Sequence, residues 1–158
     1  MQSPTHYAFI RYVLCETWPY YAYRPLRNKY PHHNRRQHRL GRLLFRLANH
    51  LQPQQVLICH PEADFLFSYI QAGCHKTQLA SQGQLLVADV DSLPPAAYLA
   101  QALSAGCLLV ITDIHRSRQT EQCWQALQQG NHCGTTFDIY YAGIVMPSTR
   151  HQKHHYLL

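Results

Sequence analysis

The sequence predicts an α/β fold built on a mostly parallel sheet, and three observations carry that expectation. Three continuous apolar runs, VLIC (56–59), QLLVADV (84–90) and CLLVIT (107–112), are short, show no alternation and are bounded by polar or turn residues, which suits parallel strands covered on both faces. Helical stretches at 62–72 and 94–105 separate them, giving the order strand, helix, strand, helix, strand. The end, TTFDIYYAGIVMPSTRHQKHHYLL, is β-branched and aromatic with Gly143 near a turn, which predicts a closing antiparallel pair or triplet of strands.

Each element has its own signal. Residues 4–14 (PTHYAFIRYVL) carry apolar side chains at helical spacing, and the Trp18-to-Pro25 stretch then breaks the pattern and leads into a polar segment, RNKYPHHNRRQ, read as an irregular basic linker. From Gln37, Leu40, Leu43, Leu44, Leu47 and Leu51 recur at helical spacing, with Arg39, Arg42, Arg46 and His50 on another face, so an amphipathic helix is expected to end before Pro53. Leu40, Leu43, Leu44 and Leu47 are expected to be buried and Arg39, Arg42 and Arg46 to face solvent. In the 62–72 helix Phe65, Leu66, Tyr69 and Ile70 share one face. Pro94-Pro95 opens the 94–105 helix, where the first turn needs no N–H. Ser117 can cap a helix carrying Cys123, Trp124 and Leu127 that stops at Gly130.

At 158 residues the chain fits one domain, with residues 1–52 as a basic helical segment and 53–158 as the core. No run approaches ~18 consecutive apolar residues, and no leader pattern opens the sequence, so a soluble, cytoplasmic protein without membrane contact is expected. The six cysteines include no C-x-x-C pair, which argues against a disulfide framework and a zinc ribbon, and Cys59 and Cys107 sit in apolar runs as small hydrophobes. The net charge of +6 is unevenly placed: no acid lies between Glu16 and Glu62, where Arg24, Arg27, Lys29, Arg35, Arg36, Arg39, Arg42 and Arg46 all fall.

Several stretches, taken in order, resemble the class I S-adenosylmethionine-dependent methyltransferases, and within them a Bacteroidetes group. They are QSPTHYAF near the start, PYYAY at 19–23, GRLLFRLANHLQPQQVL at 41–57, LVITDIHRS at 109–117, and FDIYYAGIVM followed by KHHYLL. The resemblance implies a Rossmann-like sheet with cofactor at the carboxyl ends of its first strands, and methyl transfer to a small acceptor, often a hydroxyl. The sequence also departs from that pattern. Where an acid and a glycine-rich loop would follow the first strand, it has Cys59-His60-Pro61-Glu62-Ala63-Asp64. Residues 74–106 have room for one clear strand and one helix, so two βα units of roughly 30 residues each are missing, and with them the strand whose terminal acid holds the ribose hydroxyls. Thr112 precedes Asp113 where related O-methyltransferases tend to have paired acids. The fold expected is therefore a reduced Rossmann-like methyltransferase fold with antiparallel C-terminal strands and an N-terminal helical segment.

The candidate site residues follow from position. Asp113 and His115 lie just past a strand's carboxyl end, where open α/β sheets bind ligands, and Asp89 or Asp91 ends the neighbouring strand. Asp113 and His115 are the catalytic candidates; His60, Glu62, Asp64 and Asp91 are the cofactor-binding candidates. A pocket lined by His60, Asp91, Asp113 and His115 is expected. The histidines His32, His33, His38, His151, His154 and His155 lack the spacing of a closed metal site and are read as solvated loop residues, and no metal is assigned.

Three readings of function stand. The first is a degenerate methyltransferase-like protein with neither cofactor nor catalysis. The second is a divergent active enzyme using S-adenosylmethionine on a small-molecule hydroxyl. The third is a basic module for nucleic acid or another polyanion, with Tyr20, Tyr21, Tyr23 and Tyr30 interleaved among the cations. The deletion also leaves strand 55–59 as an apolar sheet edge, to be covered by residues 74–82, by residues 1–36, or by a second copy in a homodimer.

Overall fold

Seven strands, β1 (Gln55–Cys59), β2 (Gln78–Leu79), β3 (Leu85–Asp89), β4 (Leu108–Thr112), β5 (Cys133–Asp138), β6 (Ala142–Pro147) and β7 (His155–Leu157), form one sheet in the order β2-β1-β3-β4-β6-β5-β7. Six helices accompany them among the described residues: α1 (Pro4–Phe9), α2 (Tyr23–Lys29), α3 (Arg35–Leu51), α4 (Ala63–Gly73), α5 (Ala96–Ser104) and α6 (Arg118–Gln128). The structure is a computed structural model and describes residues 4–147 and 153–158. Two compact units are present: a helical unit of the chain up to Pro53 with Asp64–Thr77, and a sheet unit of Gln54–Ala63 with the chain from Gln78 onward.

In the sheet unit the three apolar runs are the parallel strands β1, β3 and β4, in register Val56↔Leu85 and Leu85↔Leu108. Every residue of β3 and β4 is buried, as continuous apolar runs require. Val90 leaves the strand for a short 3-10 turn, Val90–Ser92. Antiparallel pairing begins at β4–β6 and continues at β6–β5. β5 and β6 form the expected antiparallel pair, and β7 does not extend it to an antiparallel triplet, because it pairs with β5 in parallel, Thr136↔His155. Two reversals of direction, β5 to β6 and β6 to β7, restore the direction of β5.

The first residues of the β1 edge are covered from within the chain. β2 pairs with β1 in parallel, Gln55↔Gln78 and Val56↔Leu79, so the cover comes from the 74–82 segment. An outer strand of two residues leaves few free N–H and C=O groups for another chain to pair with.

One face of the sheet packs on α5 and α6. Leu86, Ala88, Leu109 and Ile111 meet Leu99, Leu103 and Trp124, with Cys59 and Cys107 in the same cluster. Burial pushes both thiols up, Cys107 to about 11, so they pack as hydrophobes rather than react. Ser117 caps α6 as its sequence suggests: its Oγ accepts from Thr120 N, while Thr120 Oγ1 accepts from Ser117 N. In α5, Pro95 is the N-cap itself.

In the helical unit α1 runs into a π-helical turn, Ile10–Leu14. The segment read as an irregular linker contains α2. Pro25 fits because it lies in the first turn, where a missing N–H breaks no intrahelical bond. α3 opens on a capping box between Asn34 and Gln37, and Leu40, Leu43, Leu44 and Leu47 are buried as expected. Arg39 is exposed and Arg42 half-buried, but Arg46 overturns the expectation of a solvent-facing row. It is 9% exposed, and its guanidinium donates to Val13 O and Leu14 O at 2.6 and 3.1 Å. Carbonyls at a helix's carboxyl end have no intrahelical donor, and a buried arginine supplies one.

Residues 64–77, expected in the sheet core, group with these helices. Gly41 of α3 admits the Tyr69 ring of α4, since a Cβ at Gly41 would lie 2.4 Å from it. His38 corrects the reading of the histidines as solvated: it is buried, with Nδ1 and Nε2 at 2.7 and 3.0 Å from Tyr69 Oη and Tyr30 O. A carbonyl only accepts, so Nε2 carries the hydrogen and Nδ1 accepts from Tyr69; burial lowers the His38 pKa and keeps the ring neutral.

Candidate functional site

Three adjacent parallel strands end at one edge of the sheet, so the residues that follow them collect there. β1 delivers His60, β3 delivers Asp89 and Asp91, and β4 delivers Thr112 and Asp113. Side chains alternate along a strand. Because Ala88 and Ile111 point into the α5/α6 core, their neighbours Asp89 and Thr112, register partners of each other, point to the opposite face.

Arg116 organises this edge. One Nη pairs with Asp91 Oδ2, and the other lies 3.9 Å from both Asp89 Oδ1 and Asp113 Oδ2. The hydrogen bond that the guanidinium donates to Asp91 is the largest influence raising the Arg116 pKa, with the charges of Asp89 and Asp113 adding to it. Asp113 is in the left-handed region at φ 61°, which aspartate adopts more readily than most residues. Its carbonyl accepts from Arg116 N at 3.2 Å, closing the turn that brings the guanidinium back. Asp89 Oδ1 and Thr112 Oγ1 are buried and make no hydrogen bond among the described residues.

His60 sits half-buried beside these acids. Its Nδ1 accepts from Glu62 N at 2.9 Å, which closes the glycine-free turn on itself and puts the ring hydrogen on Nε2. Burial pushes its pKa down, against the pull of Asp89, Asp113 and Glu62, so the ring is neutral near pH ~7.

His115 is turned elsewhere. Nε2 donates to Asp138 Oδ2 at 2.6 Å and Nδ1 to Glu121 Oε1 at 3.1 Å, while Tyr140 stacks on the ring at 5.5 Å between centroids. Burial opposes the charged ring, but the hydrogen bonds and charges of Glu121 and Asp138 outweigh it and raise the pKa. Asp138 is itself fixed, its Oδ1 accepting from Tyr140 N.

The predicted residues are thus divided. His60, Asp89, Asp91 and Asp113 gather around Arg116; His115 belongs to a second cluster with Asp138 and Glu121; Asp64 lies in the first turn of α4, in the helical unit. Arg116, Asp138, Glu121 and Tyr140 were not singled out from sequence, although Arg116 and Asp138 stand in the LVITDIHRS and FDIYYAGIVM stretches. Among the described residues no group of three or more His, Cys, Asp or Glu could hold a metal ion, and no helix is long and apolar enough to cross a membrane. His151 lies outside the described residues.

The chain matches no family model and no curated protein. Among solved structures it is similar to a methyltransferase from Geobacter sulfurreducens, with a TM-score of 0.55 over 94% of this chain and 99% of that chain, at 12% identity. That likeness establishes the fold: a methyltransferase-type, Rossmann-like α/β arrangement with a mostly parallel sheet and antiparallel C-terminal strands.

Proposed function

We propose that the chain is a methyltransferase-like protein that has kept the fold without binding S-adenosylmethionine or transferring a methyl group. The observation that carries this reading is the place of Arg116. Asp91, just past β3, is hydrogen-bonded to its guanidinium, and Asp89 and Asp113 lie 3.9 Å from it, so a cation of the chain's own already faces the acids at the carboxyl ends of β3 and β4. The turn after β1 does not fit the cofactor either. A glycine-rich loop lets the backbone approach a ligand closely, whereas here a proline follows a half-buried imidazole. β2 ends at Leu79 and continues as Ala80-Ser81-Gln82, with no acid at the position where ribose hydroxyls are held.

A working but divergent enzyme remains the second reading, and one observation favours it: a neutral, half-buried His60 stands at the carboxyl ends of the strands, within electrostatic reach of Asp89 and Asp113. Saturation-transfer NMR with S-adenosylhomocysteine separates the two. The proposal expects no transfer to the adenine protons; clear transfer that S-adenosylmethionine competes away would favour the enzyme.

A further inference from the structure

The sheet edge leaves unused the feature that dominates the charge distribution, the acid-free run from Glu16 to Glu62. We propose that the helical unit holds a binding site for a compact, multiply charged phosphate ligand, in a cleft formed by α2, the connection after it, and the first half of α3. The cleft has a volume of about 700 Å³ and is lined by Arg27, Asn28, His33, Arg35, His38 and Arg42 among others. That volume lies within the ~300–1,000 Å³ usual for small-molecule sites.

The chemistry of the lining selects the ligand. Three guanidinium groups border one cavity that has no carboxylate in its wall, and none of the three makes an ion pair among the described residues. Like charges brought together repel unless an anion joins them, and the planar guanidinium fork matches phosphate oxygens two at a time. Arg42 is held with its guanidinium 5.3 Å from the Tyr23 ring, and its Nε is buried without an acceptor among the described residues.

Two histidines of the wall are fixed in advance. His38 has both ring nitrogens engaged and is neutral, and His33 stacks on Phe65 at 4.0 Å, nearly parallel. A preorganised wall lowers the ordering cost of binding. A small ligand is favoured over a nucleic-acid strand, because three of the four tyrosines that would stack on bases are used in packing and Tyr21 alone of them is exposed. Tyr20 and Tyr23 pack on Phe45, and the Tyr30 hydroxyl bonds Ser68 at 2.7 Å.

The test is calorimetric titration of the full chain with pyrophosphate near physiological salt. It compares wild type with Arg27→Gln/Arg35→Gln and with Arg24→Gln/Arg39→Gln, a charge-matched pair outside the cleft lining. All four arginines are exposed, so both variants should melt close to wild type. The site predicts saturable one-to-one binding that weakens at least about tenfold in the cleft variant and is retained in the control pair. Absence of saturable binding, equal weakening in both variants, or tighter binding of a single-stranded oligonucleotide than of pyrophosphate would each overturn it.

Discussion

His115 and Asp138 meet at 2.6 Å through Nε2 and Oδ2, with Glu121 accepting from the other ring nitrogen. Two carboxylates around one imidazole favour the charged ring, and its pKa is raised in the folded chain. A raised folded-state pKa contributes stability that is fully present below the unfolded value near ~6.5 and is lost as pH rises through the folded value. The melting-temperature advantage of wild type over His115→Asn should therefore be largest near pH ~5.5 and shrink by pH ~8.5. An advantage that grows with pH would mean that the ring is neutral between its two acids.

Arg46, Arg39 and Leu44 separate burial from charge. Leu44→Ala empties a fully buried position and should cost about 2–5 kcal/mol. Arg46→Ala leaves Val13 O and Leu14 O without their side-chain donors and should cost about 1–3 kcal/mol. Arg39→Ala, at an exposed site, should stay within about 0.5 kcal/mol. Urea denaturation gives the order; an Arg46 variant as mild as the Arg39 variant would show that the two carbonyls find other donors.

Gly41→Ala opposes helix propensity to packing. Alanine gains about 1 kcal/mol in a helix interior, but its Cβ would lie 2.4 Å from the ring of Tyr69, which is fully buried and bonded to His38. Overpacking costs about 1–3 kcal/mol, so net destabilisation is expected in chemical denaturation. A more stable variant would show that α3 and α4 can separate at low cost.

The elements legible in the sequence are those whose signal is local. Unbroken apolar runs marked β1, β3 and β4, leucine spacing marked the buried face of α3, and Ser117 marked the start of α6. What escaped depends on partners distant in sequence. Two residues of β2 are too short for any periodicity, and α2 was hidden by Pro25, which reads as a breaker until its place in the first turn is known. Charge reads as exposure, so Arg46 looked solvated until the carbonyls of Val13 and Leu14 were seen to need a donor. At the site, the strand ends located His60, Asp91 and Asp113 from sequence. The separation of His115 from Asp113 could not be read there, because it depends on Asp138 of β5.

Arg116→Gln tests the ion cluster. Without the guanidinium, Asp89, Asp91 and Asp113 lose the cation they share, and mutual repulsion should destabilise the fold near pH ~7. The deficit relative to wild type should shrink in about 1 M salt, which screens the repulsion. Thermal melts at low and high salt read this directly, and a deficit independent of salt would show that Arg116 acts through packing alone.

Calorimetric titration with S-adenosylmethionine and S-adenosylhomocysteine decides whether this methyltransferase-type fold holds a cofactor. No saturable heat is expected at up to roughly millimolar ligand, in wild type as in Arg116→Gln, because the turn after β1 and the end of β2 lack the groups that would position it. A micromolar dissociation constant for either ligand, abolished by substitution of Asp113 or His60, would contradict this expectation.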